Sequence, residues 1–145
     1  MTEIILPDDV MMESFAALLD EGREVRFTPK GVSMRPFIEG GRDSVVLRKN
    51  SAVTVGDIVL AKLESGSYVL HRVIKKSSER LTLMGDGNLR GIESALACNV
   101  LGTVTGIVKP NGKCIKPKKG RLWLKMLPFR KRLLWIYRKK LKLGI

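Results

Sequence analysis

The segment "VGDIVLAKLESGSYVLHRVIKK", Val55 to Lys76, decides how the rest of the chain is read. It holds two short runs, "DIVLAKL" and "YVLHRVIKK", rich in Val, Ile and Leu and parted by Glu, Ser and Gly, which is the composition of strands bounded by turns. The same pattern continues outward in both directions, through "EVRF", "SVVLRK", "RLTLMG" and "NVLGTVTGIV". A mainly β (α+β) domain is therefore expected, with its β core over about 23–115. "PNGK", Pro110 to Lys113, reads as a hairpin turn because Asn-Gly tolerates the positive φ angles that tight hairpins need.

Ahead of the strands, Pro7-Asp8-Asp9 has the form of a helix start. Val10, Met11, Phe15, Leu18 and Leu19 then recur at helical spacing up to Gly22, which predicts an amphipathic helix over Asp8–Glu21. The 145 residues, 44% of them hydrophobic, are enough for one compact domain, 1–115. Residues 116–145 follow as a basic amphipathic segment.

Charge separates that segment from the domain. The net charge is +13, yet Glu93 is the last acid in the chain, and the 14 Lys and Arg from Lys109 onward are unopposed. In "KPKKGRLWLKMLPFRKRLLWIYRKKLKLGI" the spacing is helical and broken once, at Pro128. Phe129, Leu133, Ile136 and Tyr137 are expected on one face, with Lys131, Arg138 and Lys142 opposite. Such a helix either packs on the β domain with its charges in water or lies on an anionic membrane surface. Nucleic acid is a weaker candidate partner, because a basic segment with Trp123, Trp135 and Tyr137 can hold phosphates and stack bases but no recognition module is visible.

Other classes are disfavoured. Cys98 and Cys114, with one histidine, supply neither a disulfide framework nor a zinc ligand set, so reduced thiols, no metal and no cofactor are expected. "MTEIILPDDV" lacks the basic start and long apolar run of a signal peptide, and no stretch of about 18 apolar residues reads as a membrane span. The expected compartment is cytoplasmic, with the inner face of the membrane as the tail's possible contact.

Candidate chemistry centres on "PKGVSMRPFI", Pro29 to Ile38. Ser33 sits between Gly31, which permits an unusual backbone course, and Pro36, which stiffens the exit. It is either a hydroxyl in a Gly/Pro turn or a nucleophile, and a nucleophile needs a base and oxyanion donors. Neither G-x-S-x-G nor S-x-x-K fits, since Arg35 and Pro36 stand where glycine and lysine belong. His71, the only histidine, lies in a predicted strand that turns Val69, His71 and Val73 to one side, and an imidazole is the residue type suited to general base work near neutral pH. Asp86 in "LMGDGN" is either an Asp-Gly turn residue or the carboxylate that orients the imidazole.

Taken together, G-x-S-M-x-P, a β segment after Gly56-Asp57, His-Arg-Val-Ile, and a Gly-Asp with a nearby Asn resemble the type I signal peptidases and their self-cleaving repressor relatives. The resemblance runs from about Phe27 to Val108, and a histidine ahead of Arg-Val-Ile is similar to the endoplasmic-reticulum and archaeal-like branch, where bacterial enzymes mostly carry lysine. It implies Ser33 as nucleophile, His71 as general base and Asp86 as the acid of the Gly-Asp box. Gly31, Met34 and Pro36 would support the site, and Gly56 and Asp57 a shaping turn.

The resemblance further implies a β-rich catalytic domain that binds its substrate as an added strand and prefers small residues before the cleaved bond. Three departures stand out. The further aspartate frequent in the histidine branch is missing, which leaves Glu93 in reserve as the third member. Gly31 offers no side-chain hydroxyl to the oxyanion, so backbone N–H groups must serve. No stretch of the sequence reads as the membrane anchor usual in signal peptidases, so none is expected. The expected function is a serine endopeptidase acting on a peptide or protein. The alternative is a non-catalytic module of the same fold that captures peptides or sits at a membrane surface.

Overall fold

The computed structural model describes residues 9–144. The predicted helix start at Asp8 and the apolar run Ile4 to Leu6 lie outside the described residues. Helix α1 spans Asp9–Asp20, and Gly22, at φ +82°, ends it with its N–H donating to the Leu19 carbonyl at 3.0 Å. Its inward stripe is Met12, Phe15, Leu18 and Leu19. The expected Val10 and Met11 lie outward, because the face is set by docking on the sheet.

Eight strands follow: β1 (Val25–Phe27), β2 (Ser44–Arg48), β3 (Ile58–Lys62), β4 (Tyr68–Lys76), β5 (Arg80–Met84), β6 (Glu93–Leu96), β7 (Val100–Val108) and β8 (Cys114–Ile115). They form one sheet in the order β1-β2-β7-β3-β4-β5-β6, with β8 also on β7, and every described pair is antiparallel. The described residues thus form a mixed α/β structure, an eight-stranded sheet with three helices. The sequence reading missed two strands, β6 and β8. "ESAL" has the composition of a helix former, and β8 has only two residues.

Strand β3 shows how the core is built. Four of its five residues are buried, because Ile58 and Leu60 enter one hydrophobic cluster while Val59 and Ala61 enter another on the opposite face. The first cluster is closed by α1, whose Phe15 ring lies 5.6 Å from Phe27. The hairpin at 109–113 forms with Lys109 N–H donating to the Lys113 carbonyl at 2.9 Å, but Gly112 alone adopts positive φ there.

The basic segment is packed on the domain. It contains α2 (Arg121–Lys125), a 3-10 turn at Leu127–Phe129 and α3 (Arg130–Leu143). Of the apolar face expected, Leu133 and Tyr137 are half-buried, but the line that turns inward is shifted by about one residue. Arg130 and Leu134 point inward, whereas Phe129 and Ile136 are 60% and 43% exposed. Arg130 is the reason: its Nη1 donates to the carbonyls of Asn88 at 3.0 Å and Gly85 at 3.4 Å, and its guanidinium lies 5.3 Å from the Trp123 ring. A pattern read from hydrophobicity does not place an arginine inside.

Candidate active site

The turns from Gly31 to Phe37 are tied internally by Arg35 N–H to the Val32 carbonyl at 3.1 Å and Ile38 N–H to the Met34 carbonyl at 2.9 Å. Met34 is fully buried and anchors the loop in the core, while Gly31 takes φ +98° and Pro36 follows a cis peptide. The loop's far end is held by Asp43, a buried carboxylate that accepts from the Glu39 N–H and from Arg42 and Lys109. Burial pushes the Asp43 carboxyl up, but those donors prevail and hold it below its ordinary range.

Ser33 and His71 come together across 38 residues of sequence. Ser33 Oγ lies 3.2 Å from His71 Nε2, and both residues are buried, at 1% and 5% exposure. The other ring nitrogen, Nδ1, is hydrogen-bonded to Glu93 Oε1 from β6. A hydroxyl, an imidazole and a carboxylate thus form one hydrogen-bonded series. The third member is Glu93, the reserve candidate.

Asp86, the first choice for that place, does something else. Its carboxylate accepts from Arg72 Nε at 2.8 Å and Arg72 Nη2 at 2.7 Å, and both side chains are 1% exposed. Burial pushes the Asp86 carboxyl above the usual carboxylate range, against the Arg72 guanidinium, which pulls it down. Arg72 also donates to the carbonyls of Gly56 at 2.7 Å and Lys118 at 2.6 Å and stacks over Phe37 at 5.0 Å. Trp123 Nε1 donates to the Asp86 carbonyl at 2.9 Å. Asp57, in the Gly56 turn, accepts from Lys119. Asp86 and Arg72 therefore bind the tail to the sheet, directly behind the serine.

That network reaches Ser33 through two glycines. Gly87 N–H donates to the Ser33 carbonyl at 2.7 Å, and a Cβ on Gly85 or Gly87 would stand 2.4 Å from the Ser33 or Val32 carbonyl oxygen. Only glycine permits this approach. Sequence reasoning assigned no role to Arg72 or Arg130, and considered Trp123 only as a platform for stacking nucleic-acid bases. The available signal was an arginine standing inside an apolar strand, "YVLHRVIKK".

Beside the pair is a cleft of about 630 Å³, whose walls include Val32, Ser33, His71, Leu89, Arg90, Lys131, Leu134 and Arg138. Its floor is a sheet edge. β4 pairs with β3 over Tyr68–Arg72, but β5 reaches only as far as Arg72. Ser67 and Val73 direct backbone groups to the β3 side, so by alternation those of Tyr68 and Leu70 face the side that no described strand occupies. Among the described residues, no group of three or more His, Cys, Asp or Glu side chains is placed to hold a metal ion. No helix among them is long and apolar enough to cross a membrane. No family model matches the chain, and no curated protein matches it.

Proposed function

We propose that this chain is a serine endopeptidase with a signal-peptidase-like fold, in which Ser33 is the nucleophile and His71 the general base. The observation that carries the reading is the Ser33–His71–Glu93 hydrogen-bonded series opening on a cleft with a free strand edge. An extended peptide adds to Tyr68 and Leu70 by main-chain hydrogen bonds, which brings a carbonyl carbon against Ser33 Oγ. Oγ attacks that carbon as His71 Nε2 takes its proton, and Glu93 stabilises the resulting imidazolium. The Ser33 N–H, which has no backbone hydrogen-bond partner among the described residues, serves the oxyanion. Collapse breaks the C–N bond, and His71 gives its proton to the leaving amine. Water then attacks the acyl-serine, its proton passing through His71 back to Oγ.

Ser33→Ala and His71→Ala should each abolish cleavage in a peptide panel while leaving the thermal unfolding midpoint within a few degrees of the parent. Equal cleavage by the Ser33→Ala protein would remove the proposal. Peptide binding with no product from the parent protein would point instead to a capture module.

The reading extends to place. The tail leaves Leu122, Phe129, Trp135, Ile136 and Leu143 more than 40% exposed, among Lys and Arg and without an acid. Phe129, Trp135 and Ile136 line one depression with Arg132 and Arg138. Basic and apolar groups so mixed suit the surface of an anionic leaflet, where each Lys or Arg contributes about 1 kcal/mol. Docked there, the enzyme would sit peripherally on the cytoplasmic face of a membrane.

A further inference from the structure

The cleft beside Ser33 has an unbalanced charge. Arg90, Lys131 and Arg138 line it, and none of the three has an ion-pair partner among the described residues. Among the described residues the one carboxylate in its wall, Glu93, is engaged by the His71 ring. Arg35, a fourth cation there, is already neutralised by Glu39, with Nε–Oε1 at 2.8 Å and Nη2–Oε2 at 3.1 Å. What the cleft offers to an incoming chain is therefore a free strand edge on one side and uncompensated positive charge on the other.

Two of the three cations belong to α3, which is itself fixed. Leu134 is buried, and Tyr137 donates to Glu39 Oε1 at 3.3 Å, so the backbone between Lys131 and Arg138 is held against the serine loop. A low-dielectric cleft with walls of one sign concentrates ligands of the opposite sign.

We infer that the cleft selects acidic peptides: Asp or Glu side chains flanking the bond at Ser33 are received by Lys131, Arg138 and Arg90 while the main chain lies along Tyr68 and Leu70. The inference rests on the peptidase reading for the bond that is cut, but the charge preference is a property of the cleft and is measurable without catalysis. A peptide is favoured over a bare polyanion because the cleft combines the cations with unpaired backbone groups and the apolar side chains of Val32, Leu89 and Leu134.

The test uses full-length protein and pairs of fluorescent peptides identical except for Asp and Glu against Asn and Gln. Binding is read by anisotropy on Ser33→Ala at low and at raised salt, and cleavage is read on the parent protein. The acidic peptide should bind about fivefold tighter than its amide twin, the gain expected of two exposed ion pairs, and the difference should shrink as salt rises. Lys131→Glu with Arg138→Glu, both at exposed positions, should reverse the preference in favour of lysine-containing peptides.

Equal affinity for the two twins, or a preference that survives the charge reversal, would overturn the inference. So would an oligothymidylate that binds the cleft more tightly than the acidic peptide and is lost with the same double variant. Retained acidic preference with no cleavage by the parent would defeat the peptidase reading alone. Cleavage of both twins at one rate, with equal binding, would defeat the charge preference alone.

Discussion

Asp86→Asn should weaken the fold and spare the chemistry, whereas Glu93→Gln should do the reverse. The Asp86–Arg72 pair is almost fully buried, and removing one partner of such a pair costs about 3–5 kcal/mol because the other charge is stranded. The lower end applies here, since Arg72 keeps the Gly56 and Lys118 carbonyls and asparagine still offers one oxygen. For a chain of this size about 3 kcal/mol corresponds to a fall of roughly 10 °C in Tm.

Glu93 is a quarter exposed at the sheet edge and touches the ring, so Glu93→Gln should move Tm by no more than about 3 °C. Its loss of charge beside the imidazolium should cut turnover by about a hundredfold or more. Thermal unfolding by circular dichroism and peptide turnover, measured on the same preparations, separate the two. An Asp86→Asn protein with parental Tm and no turnover would refute the assignment, as would a Glu93→Gln protein as active as the parent.

Two other outcomes follow from groups elsewhere, one a buried charge and one an exposed apolar pair. Because the folded Asp43 carboxyl is held below its ordinary value of 3.8, its contribution is present above that pH and is lost as pH falls through the folded value. Urea midpoints should therefore drop from about pH 4 downward, and Asp43→Asn should lower stability at neutral pH and flatten that drop; an unchanged acid limb in the variant would contradict the role given to this carboxylate. In the tail, Trp135→Ser with Ile136→Ser should reduce co-sedimentation with phosphatidylserine-containing vesicles about tenfold, from the apolar area withdrawn, without lowering Tm. Equal sedimentation of parent and variant, or equal binding to zwitterionic vesicles, would count against membrane docking through this face.

Local chemistry made much of the molecule legible. The Val, Ile and Thr runs became strands β1 to β5 and β7, Gly22 ended α1, and Asn111-Gly112 turned the hairpin, because each depends on the conformational preferences of a few adjacent residues. Ser33 and His71 were legible as candidates because one lies in a constrained Gly/Pro loop and the other is a lone imidazole in an apolar strand.

The third member of the series was decided only by tertiary structure. Asp86 and Glu93 are seven residues apart, and which of them meets the ring depends on strand register: β5 ends at the partner of Arg72, and β6, which local composition disguised, sets Glu93 opposite Leu83. A bulge between Val73 and Lys75 shifts the β4–β5 pairing, and no nearest-neighbour preference records it. The tail shows the same division. Its charge and helical spacing were plain in the chain, but the face that turned inward was chosen by Arg130, drawn under α3 by two carbonyls and an indole that only folding brings within reach.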